Sequence, residues 1–437
     1  MDTGAADAGA SDAARGDAAD LDAQSVPSDA GSRPFDAGPE PTAVLQPVPG
    51  ELTILQLDLP PGITARLGEA AIIIGPAGSI ALLDIGNSNH DDEVRSAIEA
   101  LNTQALIPSR GFAARRPLQV EWVILTHLHG DHVGSFADLI ATSGTPLEVT
   151  RGIVHRGFVD LGGGINSGDF ETLCAALTGP LVALDRSLCV AATPAPCSYA
   201  SLGGPHPSTS CPGLFHGDLA TTRDDGNGAP AFIDLDGARI ELAAAAAFVS
   251  NGSAAVPFAP FGYDDTNQEN ARSLVGLVSF GAFRYHFGGD LTGSGDATEP
   301  DVETHLVQVA GARLWDTRGV DVVHAHHHSR RTSSNATLVG ALAPLDGRAR
   351  AVVSGINAAY LGSPATEVLT AWTGGGRLGE GRYWVTRTAP GGASSASFPA
   401  LEVADGPVIV QTLAGGAAYR IQAAGAPVRS RTYPALR

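Results

Sequence analysis

Residues 126 to 135 read THLHGDHVGS and pack His127, His129, Asp131 and His132 into six positions. Imidazole and carboxylate are the ligands that suit a borderline divalent metal such as zinc. Four ligands so close in sequence cannot all reach one tetrahedral ion comfortably. They can serve two adjacent ions if the segment is a loop that enters a helix. His127 and His129 would then turn one way, Asp131 and His132 the other. A second cluster, DVVHAHHHSRR from Asp321 to Arg331, carries His324, His326, His327 and His328. A run like this could be a surface accident, a scavenger of metal, or part of the same site.

The elements around these residues can be read from apolar periodicity. VEWVILTH is a short continuous apolar run, as in a buried central strand, and it delivers the first cluster. SFADLIATSG reads as a helix that ends at a glycine. Upstream, LTILQLDL alternates like a strand. EAAIIIGPAGSIALLDIG gives a hairpin broken at GPAG and ending at Asp84 and Gly86. DDEVRSAIEALNTQ is a helix with an acidic first turn, and LEVTRGIVH is a strand that ends at His155. Strands return in ARSLVGLVSFGAFRYHFGGD, which ends at Asp290. EPDVETHLVQVAGARL is a helix, VDVVHAH a strand and loop, SNATLVGALAPL a helix, ARAVVSG a strand and ATEVLTAWTGGG a helix. RYWVTRTA, GPVIVQTL and AAYRIQAAG close the chain as strands. Helices between strand runs predict a layered α/β fold.

The chain has 437 residues and a net charge of −19, with 27 basic residues, all arginine. It is 43% hydrophobic and 17% charged, which suits a large buried core. An acidic body is a poor partner for duplex nucleic acid, whose binding depends on neutralising phosphates. A small molecule or short anionic substrate is compatible with it, because bound metal ions can dominate the local field. Nothing in the sequence sets an oligomeric state.

Residues 1–45 are acidic, rich in Ala, Asp and Gly, and nearly free of large apolar side chains, so they read as a disordered tail or tether. No basic-then-apolar leader is visible, and no apolar run is long enough to span a bilayer. The tail resembles the tether that follows the lipidated cysteine of secreted bacterial lipoproteins, so export and a membrane tether through a lost N-terminal lipid anchor are expected. The globular domain covers residues 46–437. Within it, residues 160–265 are rich in Gly, Pro, Ser and Cys and read as a long insertion. Cys174, Cys189, Cys197 and Cys211 lie there without the paired spacing of a zinc knuckle, so two disulfides bracing the insertion in an oxidising compartment are expected.

The pattern H-x-H-x-D-H after a buried strand resembles the signature of the metallo-β-lactamase superfamily. The resemblance covers most of residues 51 to 425, apart from the insertion. It implies an αββα sandwich with a binuclear site on one edge and a metal-dependent hydrolase activity. Asp84 in LLDIG then stands behind the ligands and supports the histidine loop. Asp290 in YHFGGD becomes the carboxylate that bridges two ions. Many members supply one more histidine from the strand after the motif helix, a place that His155 occupies.

Within the superfamily, the closest resemblance is to the hydrolase domain of bacterial DNA-internalisation competence proteins and their stand-alone relatives. DVVHAHHHSRRTSSN lies over their DV…HHGS…TSSN pattern without a gap. That register puts His327 and His328 on the histidine pair, and Ser329 and Arg330 where Gly and Ser would be. A slip of one residue would put His326 and His327 there instead. In the gapless register His327, with His328 beside it, closes the site. His324 and His326 are then bystanders of strand alternation or supports behind it. Asn270 and Ser273 match an N-x-x-S-L-V strand pair of these relatives. Asn357 and Pro364 match a later G-x-x-N-x-Y-G-H-P pattern, in which Ser363 replaces the histidine.

The expected chemistry is hydrolysis assisted by two divalent ions, zinc first and manganese second, with a metal-bound hydroxide as the nucleophile. Asp131 would ligate and orient that hydroxide. His127, His129, Asp131, His132, His155, Asp290 and His327 are the expected ligands. Asp131, His327 and His328 are the expected catalytic groups. A carboxylate at 290, rather than a cysteine, favours oxygen-rich substrates, so a phosphodiester or related phosphate ester comes first. A carboxylic ester, thioester or lactone is the alternative. A metal-binding exported protein with a vestigial site is the second.

Overall fold

Among the described residues, short apolar runs bounded by turn residues become twenty strands in two sheets. The first sheet takes β1 (Thr53–Gln56), β2 (Ala71–Ile74), β3 (Ile80–Leu83), β4 (Gln119–Leu125), β5 (Glu148–His155), β6 (Leu181–Ala183) and β7 (Leu214–His216). The second takes β8 (Phe232–Leu235), β9 (Ala238–Ala245), β10 (Phe248–Ser250), β11 (Ala255–Pro257), β12 (Val275–Phe280), β13 (Phe283–Phe287), β14 (Val322–His324), β15 (Ala351–Ser354), β16 (Tyr383–Val385) and β17 (Leu401–Val403). The chain then returns to the first sheet with β18 (Val408–Leu413), β19 (Ala418–Ala423) and β20 (Arg429–Pro434). The computed structural model describes residues 46–59, 68–141, 145–156, 181–183, 214–216, 232–253, 255–258, 269–295, 299–356, 362–425 and 427–436.

The strand order is β20-β19-β18-β1-β2-β3-β4-β5-β6-β7 in the first sheet and β11-β10-β9-β12-β13-β14-β15-β16-β17 in the second, with β8 on β9. Side chains of both sheets meet in one core, among them Ile72, Val123 and Ile153 from the first and Ile240, Phe283 and Val322 from the second. Each such side chain contributes about 1.5–3 kcal/mol relative to exposure. Period-two alternation builds the next layer. Val322, Ala351 and Val353 join the inter-sheet core, whereas Val323 and Val352 pack with Leu306, Leu338, Leu369 and Trp372 of the helices. On the other side, the helix Asp91–Ala100 buries Val94 and Ile98. The result is the αββα arrangement.

In both sheets the strands that carry the candidate residues run parallel and end together. Leu83 pairs with Ile124, and Leu125 with His155. In the second sheet His286 pairs with Val323, and His324 with Val353. Asp84, His127, His155, Asp290, His324 and Gly355 therefore stand at or just beyond the carboxyl ends of strands, where open α/β sheets hold their ligands.

The stretch expected as an insertion ends earlier than its composition suggests. Residues 232–257 form β8 to β11, and β9 is an interior strand that pairs with β12. The turn Asp236-Gly237 joins β8 and β9, and both residues have positive φ, as a two-residue hairpin loop requires. Polyalanine in β9 hid the alternation, because alanine carries little hydropathy contrast. The four cysteines, and Asn357, lie outside the described residues.

Candidate metal centre

The chain leaves β4 at Leu125, turns at Thr126, and enters a short helix, Gly130–Val133, that carries Asp131 and His132. Asp84 fixes this exit. Its backbone is left-handed, with φ 53°. Its Oδ1 accepts the Thr126 N–H at 2.7 Å, and its Oδ2 accepts the Thr126 hydroxyl at 2.7 Å. The same Oδ2 lies 2.9 Å from His132 Nδ1. With Nδ1 held there, His132 Nε2 points away, to 3.3 Å from Asp290 Oδ1. Burial raises the Asp84 carboxyl above its usual range in spite of His132 and Thr126. Burial alone would lower His132, but Asp290 and Asp84 outweigh it and raise that ring well above its ordinary value.

Asp290 reaches the loop because its neighbours are glycines. A Cβ on Gly289 would lie 2.5 Å from Thr126 Oγ1, and one on Gly288 2.3 Å from His326 Nε2. The Asp290 N–H donates to Ser273 Oγ at 3.1 Å. Its two carboxylate oxygens face opposite ways. Oδ1 lies 3.3 Å from His132 Nε2 and 3.7 Å from His328 Nε2. Oδ2 lies 3.7 Å from His127 Nε2 and 3.6 Å from His327 Nε2. Burial alone would raise this carboxyl. His132, His328, His327 and His127 together hold it well below the carboxylate range.

Donor atoms converge in two groups that share this residue. One group is His127, His129 and Asp290. The other is Glu69, His132, Asp290 and His328. Asp131 joins the second group's neighbourhood, with Oδ2 3.5 Å from His328 Nε2. The ring nitrogens His127 Nε2 and His129 Nδ1 are 3.1 Å apart. The donor set of imidazoles and carboxylates suits zinc or manganese. Asp290 is 1% exposed, and its Oδ1 makes no hydrogen bond among the described residues, as a carboxylate oxygen kept for a cation would. The residues present therefore fit a divalent metal.

Two expected ligands fall in neither group. His155 ends β5 opposite Leu125 and is buried, but its ring is not among the converging donors. His327 sits beside the site. Its Nδ1 is 2.6 Å from Thr332 Oγ1, and its Nε2 is 3.2 Å from Arg330 Nη1 and 3.3 Å from Asn270 Nδ2. Burial lowers this ring to about 4. Both His327 and His328 have φ near 50°, a left-handed pair that sends neighbouring rings to different partners. His328 is the one that joins a ligand group.

His324 and His326 are not idle products of alternation. His324 Nε2 lies 2.6 Å from Glu69 Oε1. His326 Nδ1 lies 2.8 Å from Glu303 Oε1 and its Nε2 3.0 Å from His286 Nε2. Glu303 also accepts the Ser334 and Asn335 N–H groups at 2.8 and 2.7 Å, which ties down the loop that follows the histidines. On the other flank, Glu269 accepts the Leu128 N–H and Arg156 Nε at 2.8 and 2.7 Å, bracing the first histidine loop. The sequence reading missed these three glutamates. The visible signal was weak: Glu69 is a lone charge directly before the apolar run AAIII.

A family model described as Metallo-beta-lactamase superfamily matches residues 66–182, the stretch that carries Glu69, Asp84 and the histidine loop. Residues 66–182 thus match the metallo-β-lactamase superfamily. No curated protein matches it. Solved structures give weaker likenesses, each at 13% identity. A metal-dependent hydrolase of the beta-lactamase superfamily, Tm1679, covers 78% of this chain and 97% of its own, with a TM-score of 0.36. A diphosphatase of the PhnP family covers 70% and 87%, with a TM-score of 0.29. A Cronobacter sakazakii metallo-beta-lactamase with a HARLDQ motif covers 59% and 71%, with a TM-score of 0.26.

Proposed function

We propose that the site holds two divalent ions, zinc first and manganese second, and hydrolyses a phosphodiester or related phosphate ester of small or short anionic form. One observation carries the reading: each oxygen of the buried Asp290 carboxylate faces a different group of histidines. His127, His129 and Asp290 would hold one ion. Asp131, His132, His328 and Asp290 would hold the other. Two such ions, when bound, activate a water and polarise an ester oxygen. Asp131, at the rim of the second group, orients that water. His327, Arg330 and Asn270 stand together beside Asp290 Oδ2 and can receive an anionic group of the substrate. A guanidinium there favours a phosphate over a neutral ester. The kinship with competence-type hydrolases rests on DVVHAHHHSRRTSSN, with Arg330 as its main departure.

The test combines metal content with paired assays. The expected result is two tightly bound ions per chain and faster turnover of a chromogenic phosphodiester than of a thioester or lactone, with zinc or manganese added. Preferential thioester or lactone turnover would move the reading to acyl substrates. Fewer than one tightly bound ion per chain would leave only a vestigial site. Export, with a tether through residues 1–45, belongs to the same proposal and is supported by the cysteine cluster. Four reactive thiols in denatured, natively produced protein would remove it.

A further inference from the structure

We infer that Glu69 is a positioning residue that aims His328 at the second ion and thereby sets affinity at that ion alone; this rests on the two-ion reading above. Glu69 comes from the first sheet, just before β2, whereas His324, His328 and Gly355 come from strand ends of the second. Its carboxylate is 3% exposed and spans that seam. Oε1 accepts from His324 Nε2 at 2.6 Å, from the Gly355 N–H at 3.2 Å and from Gln56 Nε2 at 3.4 Å. Oε2 lies 3.3 Å from His328 Nδ1.

The His328 ring decides between a ligand role and a supporting role for this carboxylate. Its Nδ1 hydrogen-bonds the Gly355 carbonyl at 3.2 Å, and Glu69 Oε2, which makes no hydrogen bond among the described residues, lies 3.3 Å from the same nitrogen. Its Nε2 faces His132 Nε2 at 3.3 Å, Asp131 at 3.5 Å and Asp290 at 3.7 Å. Glu69 therefore stands behind the ring, although its carboxylate is close enough to count among the converging donors. A ligating histidine that gives its other N–H to a carboxylate is fixed in tautomer and orientation and becomes a better donor. Asp84 does this directly for His132, whereas Glu69 acts on His328 as a charge 3.3 Å from Nδ1 and through Gly355, whose N–H it holds and whose carbonyl takes the Nδ1 bond.

The backbone makes the arrangement specific. The Glu69 N–H donates to the Asp131 carbonyl at 2.9 Å, and the Glu69 carbonyl accepts the Gly86 N–H at 3.0 Å. One residue thus registers His328 against the loop that carries Asp131 and the loop that carries Asp84. Gly355 is part of the seat, because a Cβ there would lie 2.7 Å from Glu69 Oε1.

The test uses the full chain, stripped by a chelator and titrated with Zn²⁺ against a competing dye, and with Co²⁺ followed by its absorption bands. Wild type is expected to bind two ions. Glu69→Gln should weaken one of them about 10–100-fold and shift one of the two Co²⁺ signatures, while the other ion keeps its affinity. Glu69→Asp retains the buried charge but is one methylene too short for Nδ1, so it should show the same selective loss. It also serves if the glutamine variant does not fold. Unchanged affinity for both ions in these variants overturns the inference and leaves the two-ion reading standing. Equal loss of both ions, or loss of the folded chain in both variants, overturns it as well, since Glu69 would then be holding the whole site or the fold. A wild-type chain that binds fewer than two ions sinks the underlying reading first, and the inference with it.

Discussion

His132 and His328 bring their Nε2 atoms to 3.3 Å from each other, with both rings fully buried. His132 has its Nδ1 on the Asp84 carboxylate, whereas His328 Nδ1 hydrogen-bonds the Gly355 carbonyl and lies 3.3 Å from Glu69 Oε2. Two imidazole lone pairs that face each other repel. A proton or a cation must therefore sit between them, and Asp131 and Asp290 supply the compensating charge. Burial alone would lower His328, but Asp290 and Glu69 outweigh it and push the ring up to about 9.

That balance predicts proton-coupled metal binding. In the metal-free protein His328 keeps its proton through neutral pH, and an ion must displace it. Affinity at the second ion should rise with pH from 6 to about 9. Calorimetric titration in buffers of different ionisation enthalpy would count the proton released. Affinity independent of pH over that range would show that the two rings share no proton.

Asp290 is the one residue common to both donor groups, so its charge should matter to both ions at once. Asp290→Asn preserves shape and removes the charge. Breaking a buried ion pair costs about 3–5 kcal/mol, or roughly two to four orders of magnitude in affinity. Metal analysis after dialysis should find less than one ion per chain. Retention of two ions would show that the histidines alone hold them.

Asp84 tests orientation without touching an ion. Asparagine tolerates the left-handed backbone that position 84 adopts, so Asp84→Asn should fold. Its amide cannot accept from Thr126 and His132 on both oxygens, and affinity at the His132 ion should fall about 10–100-fold. Asp84→Ala leaves buried donors of Thr126 and His132 without acceptors, at about 1–3 kcal/mol each, and should also lower the melting temperature. Chelator competition and thermal melts separate the two effects.

Much of this was legible because the fold and the histidine loop are local in sequence. Continuous apolar runs such as VEWVILTH became β4, and Asn335 and Asp301 cap the helices expected after them. The supporting glutamates were not legible. Glu69 meets His324 across 255 residues and Glu303 meets His326 across 23, and no local pattern marks a carboxylate as the partner of a distant ring. His155 ends its strand and is buried, but neither converging donor group of the described residues includes its ring, and strand register alone does not set where a ring points.

Glu303 should be the stability counterpart of Glu69. It is fully buried and accepts His326, Ser334 and Asn335 on two oxygens. Glu303→Ala leaves those donors unsatisfied, at about 1–3 kcal/mol each. Urea unfolding should show the loss in the metal-free chain, before any ion contributes. Equal unfolding midpoints for variant and wild type would mean that the loop after His328 closes without this carboxylate.

The last prediction concerns Asp321, at the opposite end of β14 from the ligands. Its Oδ1 accepts the Leu436 N–H at 2.6 Å and its Oδ2 the Arg284 N–H at 2.8 Å. Burial raises the carboxyl to about 7 in spite of these bonds. The unfolded chain releases this proton near its ordinary value, about 4. Between about 4 and 7 the folded chain therefore binds more protons than the unfolded chain, and stability must fall as pH rises through that window. Asp321→Asn removes the titration. Its amide sets one N–H against Leu436 or Arg284, a cost that does not vary with pH. Thermal melts of wild type and variant, both with chelator, share every titration of the metal site, so their difference isolates Asp321. That difference should shift in favour of the variant from pH 4 to 7 and stay constant above. Parallel melting curves across the window would mean that Asp321 is ionised in the folded chain throughout.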